Sequence, residues 1–300
     1  MKLYKLLQKD TWLKRILRVF YLVCESKETG RRKLQYLLTY LLLIIPLFSS
    51  DSNGVELPIG LTEEEKGKMY IIEEMGRETD PPPTPIRNIA EFEPMQGVLI
   101  RYPFGISTSI IKEMAEDVIV YCLVSSGSQN SAYNSMNSAG VDMNNVEFIS
   151  GSTDSYWTRD YGPWWVVDGN RDISVVDFTY NRPRPNDNQA PYKVSEHLDV
   201  PYYSADFVSA GGNYMTDGSG ISASTQITYT ENDQCGTNDQ SSIPLAPCEY
   251  IDDIMLDYYG VHTYHVVADP NDEYIDHIDC WGKYLSPTKV LIREVPASHA

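Results

Sequence analysis

Cysteine is scarce in this 300-residue sequence: Cys24, Cys122, Cys235, Cys248 and Cys280 are all there are. Four in the last 250 residues are too few for a disulfide-built scaffold. Cys235 and Cys248 bracket a polar loop and would suit one bridge in an exported chain, whereas Cys122 lies in an apolar run and reads as a buried structural thiol. Basic side chains are scarce beyond residue 50. Ten of the 24 Lys and Arg fall in residues 1–50 against Asp10, Glu25 and Glu28, which gives +7; the remainder, with 14 basic and 39 acidic residues, carries −25. So acidic a body excludes nucleic acid as a partner, because phosphate binding needs clustered Lys and Arg. The apolar run from Leu37 to Phe48 is well short of the ~20 residues that cross a bilayer. Disordered and collagen-like classes are excluded by 42% hydrophobic and 11% aromatic residues.

What is present begins with a leader over residues 1–50. Arg31-Arg32-Lys33, the apolar stretch to Phe48 and the small polar run Ser49-Ser50-Asp51-Ser52 follow the order of a cleaved signal peptide. The expected location is therefore periplasmic or extracellular, with membrane contact only through an uncleaved leader. Residues 51–86 read as an acidic segment with one short helix around Glu63–Glu74, ending in the stiff spacer Pro81-Pro82-Pro83-Thr84-Pro85.

From residue 87 the pattern is that of an α/β protein. Strands are expected at Gly97–Tyr102, Val118–Val124 and Val146–Ile149, with helices at Ser109–Asp117 and Ser131–Ala139. Trp164–Val167 and Ile173–Phe178 read as a hairpin through Asp168-Gly169-Asn170. A glycine-framed strand is expected over Gly211–Gly218, a β-rich stretch over Ile221–Tyr229, a helix at Ile251–Tyr259, and two final strands around Ser286-Pro287-Thr288. The chain ends soon after a strand of core quality, which reads as the N-terminal part of a longer domain.

Three stretches can carry chemistry. In Tyr156-Trp157-Thr158-Arg159-Asp160-Tyr161-Gly162-Pro163, one acid sits among rings, and a desolvated carboxylate walled by aromatics suits a planar cation; the alternative is a structural Arg159–Asp160 turn. In Asn181-Arg182-Pro183-Arg184-Pro185, prolines hold two guanidinium groups about one extended dipeptide apart, which suits a carboxylate; the alternative is a solvated loop. In Tyr274-Ile275-Asp276-His277-Ile278-Asp279-Cys280, a strand would put His277 and Asp279 on one face as an acid/base partner and a cation-binding carboxylate, with Cys280 on the other. His-x-Asp can also offer two metal ligands, but no third and fourth stand nearby, so neither metal nor cofactor is expected.

Glu91 to Ile100, the Thr158-Arg159-Asp160-Tyr161-Gly162-Pro163 segment, Gly211-Gly212-Asn213 and the Ile275-Asp276-His277-Ile278-Asp279-Cys280-Trp281-Gly282-Lys283 segment together resemble the Porphyromonas-type peptidylarginine deiminases, relatives of agmatine deiminase in the guanidine-modifying superfamily. The resemblance runs from about Arg87 to Val295. It implies a pseudo-fivefold α/β-propeller (pentein), of which about three of five units would be present, and hydrolysis of a guanidinium to a ureido group plus ammonia without metal. Asp160 and Asp279 would grip the guanidinium, and His277 would act as general acid/base. Trp157 and Tyr274 would line the channel for the aliphatic stem, and Arg182 and Arg184 would hold a terminal carboxylate. That last pair favours arginine-containing peptides or proteins as partners and citrulline as product. Agmatine, giving N-carbamoylputrescine, is the alternative substrate, and a non-catalytic secreted module binding arginine peptides or carbohydrate is the alternative class. The family's thiolate nucleophile lies well after the His-x-Asp segment, and none of the cysteines matches its position. The chain as given is therefore expected to be inactive.

Overall fold

The computed structural model describes residues 60–235, 247–270 and 275–294. The expected leader and Tyr274 lie outside these residues. Among the described residues no helix is long and apolar enough to cross a membrane.

Two short helices come first, α1 (Glu63–Lys66) and α2 (Tyr70–Met75). A capping box starts α1: Thr62 Oγ1 accepts the Glu65 N–H, and the Glu65 carboxylate accepts the Thr62 N–H. The chain then lies along the body as a strap. Asn188 Nδ2 donates to Met75 O at 3.2 Å, Thr79 N to Ser204 O at 3.0 Å and Ser204 N to Thr79 Oγ1 at 3.0 Å. The proline stretch is not a free spacer, since Gly169 N donates to Pro83 O at 2.6 Å.

After β1 (Arg87–Asn88) come β2 (Gly97–Arg101), α3 (Thr108–Asp117), β3 (Ile119–Val124), α4 (Gln129–Ser138) and β4 (Val146–Ser150). The last three strands pair in parallel in the order β2-β3-β4. Such a sheet is covered on both faces, and so β3 is apolar at every position rather than at alternate ones. Val120 and Cys122 pack on Ile111, Ala115 and Met136 of α3 and α4. Tyr121 and Leu123 pack with Tyr161, Tyr180 and Val194 on the opposite face.

The chain continues through α5 (Thr158–Tyr161), β5 (Trp164–Val167), β6 (Ile173–Tyr180), α6 (Pro185–Asn188), α7 (Ala190–Leu198) and β7 (Tyr202–Ser209). Strands β5 and β6 form the expected antiparallel hairpin, flanked by β1 and by a parallel β7. Further on lie β8 (Met215–Thr216), β9 (Ile221–Thr225), α8 (Ile227–Thr230), α9 (Glu249–Tyr259), β10 (Thr263–Val267), β11 (Gly282–Ser286) and β12 (Lys289–Ile292). Helix α9 covers the hairpin sheet, with Ile251, Met255 and Tyr259 against Trp164, Phe178 and Phe207. A disulfide joins Cys235 to Cys248, the residue that precedes α9. The class is α/β as expected; among the described residues the strands form four separate sheets, and none closes on itself.

Three local expectations are corrected. The strand over residues 211–218 is a 3-10 turn at Gly211–Asn213 followed by the two-residue β8; the glycines offer nothing to pack, and the Asn213 side chain takes hydrogen bonds a ladder would have made. The β-rich stretch 221–229 splits into β9 and α8. The strand through His277 and Asp279 is instead a 3-10 turn at Ile278–Cys280, entered after Asp276 at φ 49°. Positive φ interrupts an extended run.

Candidate functional site

Three loops build the site. The first carries Trp157 and Asp160. Buried Asp187 anchors it: Oδ1 accepts Asp154 N at 2.7 Å and Ser155 N at 3.1 Å, and Oδ2 accepts Ser155 Oγ at 2.6 Å. Ser155 Oγ in turn accepts Trp157 N at 3.3 Å. The single turn of α5 then lifts Asp160, and Gly162 leaves the helix at φ 82°, a conformation glycine adopts without strain.

The second loop is Gly211–Asn213, and the third holds His277 and Asp279. Asn213 ties them together. Its Oδ1 accepts Thr225 N at 2.9 Å and Ile278 N at 3.2 Å, while its Nδ2 donates to Thr228 Oγ1 at 3.1 Å. The Thr225 hydroxyl reaches the Asp276 carbonyl. Gly212 sits under the convergence. A Cβ there would meet His277 Nδ1 at 2.6 Å, Asp160 Oδ1 at 2.7 Å and Asp279 Oδ2 at 3.1 Å. This close approach leaves no room for a Cβ unless the three side chains move.

Both carboxyls of the site are harder to ionise than free ones. Burial, then the nearby Asp279 carboxylate, push Asp160 up to about 6, against the opposing pull of Arg182, Arg159 and the Gly212 N–H. Asp279 is also raised, first by burial; Arg159 and Lys283 pull the other way. Arg159 acts on Asp279 by charge rather than by a hydrogen bond. Its Nε is 3.9 Å from Asp279 Oδ2, while its other nitrogens engage Glu91 and Tyr214 O. His277, 4% exposed, is pushed down to about 4 by burial and then by Arg182 and Arg159. It is a neutral imidazole at pH 7, its Nδ1 3.6 Å from Asp160 Oδ1 and its Nε2 without a protein partner.

A small cavity of about 40 Å³ opens here. Its wall includes Trp157, Asp160 and His277, together with Tyr180, Arg182 and Arg184. Of the residues singled out from the sequence, five therefore share one wall; Asp279 is not on it but meets the same Gly212. The arginine pair is neither a solvated loop nor extended. Both residues are buried, and the turn through Pro183 closes with Arg184 N donating to Arg182 O at 2.7 Å. Cys280 does not face away from the acids either, since it interacts with the Asp279 carboxyl and helps to favour its ionised form.

Sequence reasoning missed Glu65, whose Oε1 lies 2.6 Å from Arg184 Nε, and Asn181, which lines the cavity and donates to Glu231 Oε1 at 2.7 Å. It also missed the anchoring roles of Asp187 and Asn213. The Glu65 contact spans 119 residues and leaves no local signal; Thr62-x-x-Glu65, a capping-box spacing, was the legible part.

Residues 87–299, which contain all three loops, match the family described as Porphyromonas-type peptidyl-arginine deiminase. The chain belongs to this family. Among curated proteins, the agmatine deiminase of Pseudomonas aeruginosa is 31% identical over 169 residues, 51% of this chain and 43% of that protein. The agmatine deiminase of Ectopseudomonas mendocina is 28% identical over 201 residues, 62% of this chain and 50% of that protein. The chain thus spans about half the length of these relatives. Among solved structures, the agmatine deiminase of Enterococcus faecalis aligns with a TM-score of 0.59 at 21% identity, covering 75% of this chain and 66% of that one. The structure described as C. jejuni agmatine deiminase gives 0.55 at 19%, covering 71% of this chain and 65% of that one. The mixed α/β fold of this deiminase family is accordingly the fold of the chain.

Proposed function

We propose that the cavity binds the guanidinium of an arginine-like ligand, and that the reaction it serves is hydrolysis of that group to a ureido product and ammonia. The observation that carries this reading is the convergence of Asp160, Asp279 and His277 over Gly212 beside an open cavity. Two desolvated carboxylates can each accept paired N–H bonds from a planar cation. A neutral imidazole between them can take a proton and return it to the departing amine. Trp157 offers a ring for the aliphatic stem, the role proposed also for Tyr274.

The chemistry calls for a thiolate that attacks the guanidinium carbon. The thiol proton passes to the His277 imidazole as the sulfur attacks, ammonia leaves with that proton, and water, giving one proton to the imidazole and one to sulfur, then cleaves the amidino-thioester to the ureido product and free thiol. Burial pushes the Cys122 thiol up to about 12, Cys235 and Cys248 are bonded to each other, and Cys280 is engaged with Asp279. None of the four is on the cavity wall. The reading is therefore that these residues bind and orient substrate while another cysteine supplies the nucleophile.

Arg182 and Arg184 on the same wall favour peptides or proteins ending in arginine, converted to citrulline. The basic leader and the Cys235–Cys248 bridge favour export to an oxidising compartment. Agmatine is favoured instead by the names of the curated relatives and by the carboxylate that Glu65 already places on Arg184.

Calorimetric titration of the 300-residue chain with agmatine and with N-acetylargininamide tests the reading. Both should bind, and Asp160→Asn should weaken both at least ~30-fold, the equivalent of the ~2 kcal/mol or more lost when one partner of a buried charge pair is removed. Undiminished binding by that variant would sink the guanidinium assignment.

A further inference from the structure

We propose that Glu65 is a specificity-determining residue: held on Arg184, it disfavours guanidine ligands that carry a carboxylate relative to those that do not. The inference rests on the guanidinium-binding reading of the cavity and assigns the selectivity of its arginine-lined wall.

Glu65 is not a surface charge that happens to be near. Its side chain is 15% exposed and that of Arg184 is 5% exposed, so little water screens the pair. Both carboxylate oxygens are committed. Oε1 takes Arg184 Nε at 2.6 Å, and Oε2 takes Thr62 N at 2.8 Å. The Glu65 N–H returns to Thr62 Oγ1 at 3.1 Å, which fixes the side chain from its own backbone. Downstream, the strap holds α1 and α2 to the body through Met75 and Thr79.

The pair leaves Arg184 present but altered. Its Nη2 is buried without a protein partner, and the residue lines the cavity. A ligand oxygen entering beside this side chain would meet a guanidinium with one donor that the protein leaves unbonded. The charge behind it has been met by Glu65, so the Arg184–Glu65 pair is neutral and leaves Arg182, itself near Asp160 and Glu231, as the cation of that wall. A ligand carboxylate arriving at Nη2 would also stand close to the Glu65 carboxylate, and like charges at short range in a poorly screened site repel. A neutral amide or a bare alkyl end meets no such opposition. A cap for α1 alone requires one oxygen; placing the other on a buried guanidinium of the cavity wall is what ties the helix to ligand choice.

The test uses two ligands that differ only at this end, N-acetylarginine with a free carboxylate and N-acetylargininamide without one. The readout is the ratio of their affinities, by calorimetry at pH 7.5. Glu65→Gln keeps an acceptor for Thr62 N and Arg184, and Gln also completes a capping box, so the melting temperature should stay near that of the unaltered chain. The ratio should move toward the carboxylate ligand by about tenfold, the size expected for removing one like charge a few ångströms away. In an Arg184→Gln background, Glu65→Gln should leave the ratio where it was. A ratio unmoved by Glu65→Gln, one that moves toward the amide, or a shift that persists without Arg184 would each overturn the proposal. Failure of the cavity reading is distinct: neither ligand would bind the unaltered chain, or Asp160→Asn would not affect amide binding, and the inference would fall with it.

Discussion

At Asp160, burial and the neighbouring Asp279 carboxylate both oppose ionisation, and the carboxyl titrates near 6 rather than in the usual carboxylate range. A guanidinium ligand binds the ionised form. Its affinity should be full above about pH 6 and fall as pH drops through that value, by about tenfold per unit below it while one proton must be displaced. Asp279, also raised, adds to the same sense. His277, pushed down to about 4, stays neutral between pH 5 and 8 and contributes no step there. Titration of agmatine affinity from pH 5 to 8 checks this; a flat profile would mean that neither carboxylate meets the ligand. Asp160 stood out in the sequence because an acid among Trp157, Tyr161 and Trp164 is conspicuous. The charge of Arg159 beside Asp279, with Glu91 and Lys283 clustered around it, did not stand out, since it depends on distant segments meeting.

Among the elements, the Gly211–Asn213 turn does the joining, and Asn213 is its working part. Asn213→Ala would strand the buried N–H groups of Thr225 and Ile278, at a cost of ~1–3 kcal/mol each by the usual penalty for an unmade hydrogen bond. The expected result is a melting temperature lower by about 2–4 °C per kcal/mol, with guanidinium affinity reduced as the His277 loop loosens. A variant that melts lower but binds unchanged would mean that the turn supports the fold alone. The elements around it were unequally legible. The apolar run Val118–Val124 announced a strand, and Asp168-Gly169-Asn170 announced a hairpin, because each signal is local. Gly211–Gly218 and Asp276–Asp279 read as strands for lack of any contrary local mark. Their turns arise from side chains such as Asn213 and Ile278, which are satisfied by distant partners. The two arginines were legible as a pair, but the turn between them and its burial were not.

Over the whole molecule, the acidic excess sets a negative field around a cavity that has the Asp160 carboxylate on its wall and that of Asp279 nearby. A cationic ligand is drawn by both, and mobile ions screen the first over a Debye length of ~10 Å at 0.1 M ionic strength. Agmatine affinity should therefore weaken with added sodium chloride, whereas a neutral ureido compound such as N-acetylcitrullinamide should bind weakly and without salt dependence. Equal salt slopes for the two would remove electrostatics from the account. Glu65 belongs to the same scale, because it reaches Arg184 from the far end of a segment pinned at Met75 and Thr79. Only residues 66–74 separate the carboxylate from its first anchor, so its arrival at Arg184 is an intramolecular event. Its strength is an effective concentration, which for short flexible links is in the millimolar range and falls as the link is lengthened. Spacer residues inserted after Gly67 would thus act as a dial, reducing occupancy of Arg184 by degrees while leaving every side chain of the cavity in place.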